Sequence, residues 1–195
     1  MSHSVSWIIV VTVEWNSRPF HFPIPIVVRF NMKTLSIVRH AKSSWKYKAL
    51  SDFERPLRKK GMEDLHAVIT ALRDKDVRPD FMMTSAAVRA IQTAVLLSQG
   101  LEMPQEAFGI RRTLYPGSCD QFFDCIKQFS EEYHSAMIVG HHPAVTDTIN
   151  TLLGEDIKRV ATSSVYCIQW DKADSWKQCL DEPGQLVFAL KPKKL

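Results

Sequence analysis

The sequence predicts an α/β fold: a three-layer α/β/α sandwich with helices on both faces of a mostly parallel sheet. Three observations predict it. Residues 35–38, 81–84 and 135–139 are short apolar runs with the length and bulk of buried strands. Between them lie stretches with apolar residues three and four apart, the spacing of helices that bury one face. The two kinds alternate along the chain, as helical crossovers between parallel strands require.

The elements follow in order. Residues 35–38 form the first strand, which breaks off at Arg39-His40. A core strand that surfaces at its carboxyl end presents such side chains to a crevice. A polar, basic loop follows over 41–56 and contains Ser43-Ser44-Trp45. From Gly61 to about residue 76, Leu65, Val68, Ile69 and Leu72 share one helical face, and Arg78-Pro79-Asp80 ends the helix. After the strand at 81–84, Ser85 is placed to cap a second helix over 86–99, with Gly100 closing it. Residues 108–114 read as a short strand and Pro116-Gly117 as a turn. Residues 119–129 are helical, with Phe122, Ile126 and Phe129 inward. The strand at 135–139 runs into Gly140-His141-His142-Pro143, whose proline suits the first turn of a helix over 144–153, stopped by Gly154. Strands over 163–170 and 185–190 complete the set, and the basic tail 191–195 is expected to fray.

With 195 residues, 45% hydrophobic and 24% charged, the chain can bury a core without disulfides or metal. Its net charge of +4 is unevenly spread: between Lys33 and Lys60, nine Lys/Arg oppose two acids. Such a local field favours an anionic substrate or an acidic partner. The basic residues are not interleaved with aromatics, and no recognition motif is present, so nucleic acid is not the expected partner. Cys119, Cys125, Cys167 and Cys179 form no CxxC pair and stand at no zinc spacing from a histidine, which fits reduced thiols in a cytoplasmic protein. No apolar run approaches the roughly 20 residues of a membrane span, so no membrane partner is expected. In residues 1–31, a short apolar run at 7–13 precedes Pro19, Pro23 and Pro25, without the basic start and cleavage site of a signal peptide. Met32-Lys33-Thr34 ahead of a clean strand reads as a protein start. Residues 1–31 are therefore expected to be a dispensable extension, not native or poorly ordered, and 32–195 the functional domain. The alternative is that 7–13 adds an edge strand or packs on the surface.

Four pieces carry the chemistry: Arg39-His40 after the first strand, Arg55 in the basic loop, Arg89 early in the second helix and His141 after the third core strand. Parallel strands send their carboxyl ends to one edge, so His40 and His141 emerge on one rim. Ser85 and Arg89, four residues apart, would share a helix face at an end suited to an anion. Arginine forks match phosphoryl oxygens. A neutral imidazole can attack phosphorus and hold the group as phosphohistidine, and a second histidine can stabilise the developing charge. No metal is needed if these side chains neutralise the phosphoryl group. Taken singly, each residue has a plainer reading: His141 as a core histidine, Arg89 as a surface arginine, Arg58-Lys59-Lys60 as a solvated helix start, His142 as a rim residue. Trp45 reads either as a cover for the pocket or as loop packing. The occurrence of all four pieces in order is what weighs against the plain readings.

Those pieces carry a resemblance. Residues 35–41 (LSIVRHA), 52–57 (DFERPL) with Gly61, 84–94 (TSAAVRAIQTA) and 139–143 (VGHHP) resemble, in order, the histidine phosphatase (phosphoglycerate mutase-like) superfamily. Lys42-Ser43-Ser44-Trp45 and the Asp-x-x-Arg-Pro-Leu block are most similar to its short branch, the bacterial phosphohistidine phosphatases. The resemblance runs from about Met32 to the last strand. It implies a phosphatase with His40 as nucleophile, a phosphohistidine intermediate, Arg39 and Arg89 on the phosphoryl oxygens and His141 completing the pocket. Arg55 would line the same pocket and Ser85 assist at the helix start. It implies no cofactor and no metal. The expected substrate is phosphohistidine on a protein such as a phosphotransfer domain. The alternatives are a small phosphomonoester or, in another class, a non-catalytic phosphate-binding module. One departure matters: larger relatives carry an acid after the second helix that protonates the leaving group, whereas residues 111–118 hold no carboxylate. A second branch has His-Asp where this chain has His141-His142. An imidazole leaves without such help and an alkyl alcohol does not, so the gap favours a phosphoramidate. Asp52 and Glu54, and more remotely Asp147, are candidate acids; Asp52 or Glu54 would equally serve to orient Arg55.

Overall fold

The computed structural model describes residues 32–195. The expectations for residues 1–31, both the dispensable extension and the edge strand at 7–13, lie outside the described residues. Strand β1 (Lys33–Arg39) is the centre of a six-stranded sheet. On one side it pairs in parallel with β4 (Ser135–Gly140), which pairs with β2 (Phe81–Ser85), which pairs with β3 (Phe108–Arg111). On the other side β5 (Val165–Trp170) runs antiparallel to β1, and β6 (Gln185–Leu190) antiparallel to β5. The order is β3-β2-β4-β1-β5-β6, and only β5 opposes the common direction.

Two cores cover the sheet because side chains alternate along the strands. Leu35 and Ile37 of β1, with Ala136 and Ile138 of β4, pack on Phe122 and Ile126 of α3 (Cys119–Ile126) and Ile149 and Leu152 of α4 (Ala144–Leu153). Val38, Met137 and Val139 face the opposite way, onto Leu65, Val68 and Leu72 of α1 (Lys59–Asp74) and Ala94 and Leu97 of α2 (Val88–Gly100). Each such buried aliphatic side chain contributes about 1.5–3 kcal/mol. A short helix, α5 (Gln178–Asp181), precedes β6. At the amino end of β1 the buried Lys33 donates to the Glu131 and Tyr133 carbonyls and lies over the Trp176 ring. The four cysteines are free thiols.

Several local expectations are corrected. Ser85 does not cap the second helix. Its backbone stays in the ladder opposite Arg111 of β3, and the helix starts only after Ala87, which is extended. Ser85 and Arg89 therefore do not share a helix face. Gly100 is the last residue of α2 rather than a left-handed cap; it lies where any Cβ would press on Ile69. Gly154 does close α4 in the left-handed conformation (φ 66°, ψ 31°). The strand expected over 108–114 stops at Arg111 and tightens into a 3₁₀ turn, Arg112–Leu114. β5 begins at Val165 because Ser163 turns the chain at φ 60°. The tail does not simply fray: Pro192–Lys194 makes a 3₁₀ turn against α1. No helix among the described residues is long and apolar enough to cross a membrane.

Candidate active site

β1, β2 and β4 end side by side, and their carboxyl ends floor a cleft of about 590 Å³. The β1 ladder persists one residue past the strand: the His40 N–H donates to the Gly140 carbonyl (3.0 Å). Glycine at 140 leaves room for the Phe122 ring of α3, which a Cβ there would push aside. From behind, the Ser163 N–H donates to the carbonyls of Arg39 (3.1 Å) and His40 (3.3 Å). From α2, the buried Thr93 hydroxyl accepts from the Ala41 N–H (2.9 Å) and donates to the Arg89 carbonyl (2.7 Å). The backbone on either side of His40 is thus held by three separate elements.

The imidazole is held as well. His40 is buried, and its Nδ1 lies 2.7 Å from the Ala41 carbonyl, which can only accept, so the proton sits on Nδ1. Nε2 keeps its lone pair, and the Arg89 Nε–H points at it from 3.3 Å. Burial, together with the charges of Arg89, Arg39 and Arg55 and against the Ala41 hydrogen bond, brings the His40 pKa down to about 3. His141, at the end of β4, is also buried; its ring centroid is 4.9 Å from that of His40. Its Nε2 pairs with the Ser85 hydroxyl (2.8 Å), while its buried Nδ1 has no partner among the described residues. Burial, then the neighbouring His40 and Arg89, lowers its pKa to about 3. Ser85 thus stands at the site as a partner of His141 rather than as a helix cap.

Three arginines converge. Arg89 donates through Nη1 to the Asp52 carbonyl and through Nη2 to the Asp52 carboxylate (2.9 Å). Arg55 donates to the other oxygen of that carboxylate, to the Ser44 carbonyl and to the Ser43 hydroxyl, and its guanidinium lies 3.2 Å from the Trp45 ring centre. Arg39 donates through Nη1 to the Val160 carbonyl (2.6 Å), while its buried Nε has no partner among the described residues. Trp45 therefore both lines the cleft and stacks on Arg55, joining its two sequence readings.

The candidate acids part company here. Burial raises the Asp52 pKa, but the Tyr115 hydroxyl donating to it (2.8 Å) and the charges and hydrogen bonds of Arg89 and Arg55 outweigh this and hold it below the usual carboxylate value. Asp52 is an anion bound to two cations. Glu54 turns away to accept from the Ser51 N–H and hydroxyl, and neither Glu54 nor Asp147 lines the cleft. The cleft also holds residues that sequence reasoning did not place there: Lys42, Arg58, Tyr115, Arg159 and Thr162, with Thr93 behind it. Tyr115 lies in the 111–118 stretch, which holds no carboxylate, and no motif marks its phenol. Arg159 belongs to no motif and arrives only through the turn ahead of β5. Around the cleft, six Lys/Arg side chains (Arg39, Lys42, Arg55, Arg58, Arg89, Arg159) face one carboxylate, Asp52. Such an arrangement can bind a multiply charged oxyanion beside a neutral imidazole.

Residues 35–109 match the family model of the histidine phosphatase superfamily (branch 1). No curated protein matches the chain in sequence. Among solved structures, a protein histidine phosphatase SixA complexed with tungstate aligns with a TM-score of 0.71 and 21% identity, over 83% of this chain and 98% of its own. The SixA of Agrobacterium tumefaciens, assigned as a phosphohistidine phosphatase, aligns at 0.70 with 23% identity, over 82% and 99%. A mycobacterial glucosyl-3-phosphoglycerate phosphatase aligns at 0.58 with 11% identity, over 80% and 97%. At these identities the likeness is one of fold, and it spans relatives that differ in substrate.

Proposed function

We propose that this chain, a member of the histidine phosphatase superfamily by its match over residues 35–109 and by its fold, is a phosphatase that removes phosphate from phosphohistidine on a protein. The observation that carries the reading is the state of His40: neutral, its proton parked on Nδ1 against the Ala41 carbonyl, its unprotonated Nε2 held by the Arg89 Nε–H in the cleft that three arginines line. In the first step Nε2 attacks phosphorus. The bond from phosphorus to the substrate nitrogen breaks, its electron pair stays on that nitrogen, and the imidazole leaves neutral because its other ring nitrogen carries a proton. In the second step water attacks phosphorus, the bond to Nε2 breaks, and phosphate departs with His40 restored. Arg39, Arg55 and Arg89 bind the phosphoryl oxygens, and charge accumulating on them in the transition state is met by donors already in place. His141, fixed through Ser85 beside the His40 ring, has a buried nitrogen without a partner among the described residues, and a phosphoryl oxygen would satisfy it.

The leaving group follows from Asp52. A carboxylate held ionised by two arginines is a poor proton donor at neutral pH, so we assign Asp52 to orienting Arg55 and Arg89 rather than to acid catalysis. With Glu54 turned to Ser51, no other carboxylate lines the cleft among the described residues. An imidazole can leave such a site and an alkyl alcohol cannot readily do so. The residues present neutralise a phosphoryl group without a metal.

The test uses a phosphotransfer domain charged with phosphohistidine, an aryl phosphate and an alkyl phosphate. Wild-type protein should release phosphate from the phosphoprotein fastest and form an acid-labile phosphoenzyme on rapid quenching; His40→Ala should do neither. Undiminished turnover by His40→Ala would remove the mechanism. Preference for the alkyl ester would redirect the reading to a small phosphomonoester.

A further inference from the structure

The mouth of the cleft carries more than one phosphoryl group needs. Arg39, Arg55 and Arg89 serve the inner end, whereas Arg58 and Arg159 line the cleft and are exposed at its edge. Beside them, residues 43–57 form a strap tied at both ends. Ser43 bridges to Leu57, the Ser44 N–H donates to the Pro56 carbonyl (2.8 Å), and Arg55 clasps Ser43 and Ser44. On this fixed base the strap projects Trp45, Tyr47 and Leu50, which are 75%, 53% and 38% exposed, with Lys46 and Lys48 exposed between them. Only Trp45 of these five lines the cleft. A small phosphorylated molecule in the cleft would leave Tyr47 and Leu50 in water; a folded partner would cover them, and clustered exposed apolar side chains mark contact surfaces.

The charge names the partner's character. From Lys42 to Lys60, seven Lys/Arg oppose two acids. Of those acids, Asp52 is bound by two arginines and Glu54 is folded onto Ser51. The run Arg58-Lys59-Lys60 also stands at the start of α1, where the helix dipole disfavours cations. Lys60 is offset there by Asp64 (2.9 Å), while Arg58 keeps its place at the cleft edge. A local rule broken at the rim of a site points to a use for the charge.

We infer that the strap tip, Lys46 to Leu50 beside Trp45, forms with Arg58 and Arg159 a docking surface for a protein whose phosphohistidine is set in an acidic face. The inference rests on the phosphohistidine reading of the cleft. The tip takes up apolar contact area, and the rim cations meet carboxylates flanking the phosphohistidine, which speeds encounter and sets orientation.

The experiment compares two substrates: an acidic phosphotransfer domain charged with phosphohistidine, and free phosphoramidate, which fits the cleft without reaching the strap tip at 46–50. The variants are Tyr47→Ser/Leu50→Ser and Lys46→Glu/Lys48→Glu, none of which lines the cleft. Each should lower kcat/KM for the phosphoprotein about tenfold through KM, the charge reversal most at low salt, with phosphoramidate hydrolysis unchanged. Unchanged phosphoramidate hydrolysis also shows that the variants fold. Equal loss on both substrates, or none on the phosphoprotein, overturns the docking surface. A dimer in sedimentation that either variant dissolves would give the tip to a second copy of the chain and overturn it too. Wild-type turnover of phosphoramidate without turnover of the phosphoprotein removes the protein-substrate reading and the surface together. If neither substrate is hydrolysed, titration of His40→Ala with the phosphoprotein separates the two: binding weakened tenfold by Lys46→Glu/Lys48→Glu supports the surface although the phosphatase reading fails, and no binding overturns it.

Discussion

Two neutral histidines buried 4.9 Å apart beside three arginines make the cleft sensitive to acid even without substrate. The unfolded chain binds protons on His40 and His141 near the ordinary value of 6.5, whereas the folded protein resists them down to about 3. Between those values the unfolded state holds more protons, so stability is fully present above about pH 6.5 and declines as pH falls toward 3. Thermal melts from pH 7 to pH 5 should show this decline, and His141→Asn, which cannot take the proton, should show a shallower one; equal slopes would refute the linkage. Asp52 supports a second prediction. If it orients Arg55 and Arg89, Asp52→Asn should slow phosphoramidate and ester substrates alike, by about 100-fold if the arginines shift by an ångström. If it were the acid, the loss would fall on alkyl esters alone. At this scale the sequence was legible where chemistry depends on residue type: His40, Arg39, Arg55, Arg89 and His141 lie in one cleft. Thr93, Tyr115 and Arg159 were not legible, because a threonine behind a backbone or an arginine in a turn acquires its place only from the tertiary fold.

Elements hold these residues in place through close backbone approaches. Gly61 opens α1 against the main chain of Lys42, two residues past His40, and a Cβ there would overlap the Lys42 carbonyl. Alanine normally gains about 1 kcal/mol over glycine inside a helix, but a carbonyl in a fixed strand-to-loop turn cannot yield. Gly61→Ala is therefore expected to destabilise the protein by about 1–3 kcal/mol and to reduce turnover by shifting the segment that carries Ala41 and Lys42. Gly100→Ala, where the overlap is with the Ile69 side chain, should cost less because a side chain can rotate. Denaturant unfolding of both variants measures the difference, and a larger loss at Gly100 would contradict it. Strands and helices were legible at this scale because their periods are local. Their ends were not: Ser85 stays in β2 because β3 pairs with it across 26 residues, and no local signal reports that pairing.

The whole molecule places the chemistry by topology. Parallel strands β1, β2 and β4 deliver Arg39, His40, Ser85 and His141 to one edge of the sheet, and the strap and α2 bring Arg55 and Arg89 across it. The alternation of strand and helix made this arrangement legible, whereas the reversed β5, whose preceding turn supplies Ser163 and Arg159, carried no distinguishing pattern. Among the described residues, six strands form the sheet, two cores cover it and the cleft is lined. Burial of apolar surface is the main stabilising contribution to folding. If residues 1–31 are a dispensable extension, a chain started at Met32 is expected to fold cooperatively and to match the full chain's kcat and KM in the assay of the proposed reaction. Circular dichroism melts and side-by-side kinetics check this. Equal turnover with a lowered melting temperature would give residues 1–31 a stabilising role without a catalytic one, and loss of turnover at an unchanged melting temperature would give them a part in the site.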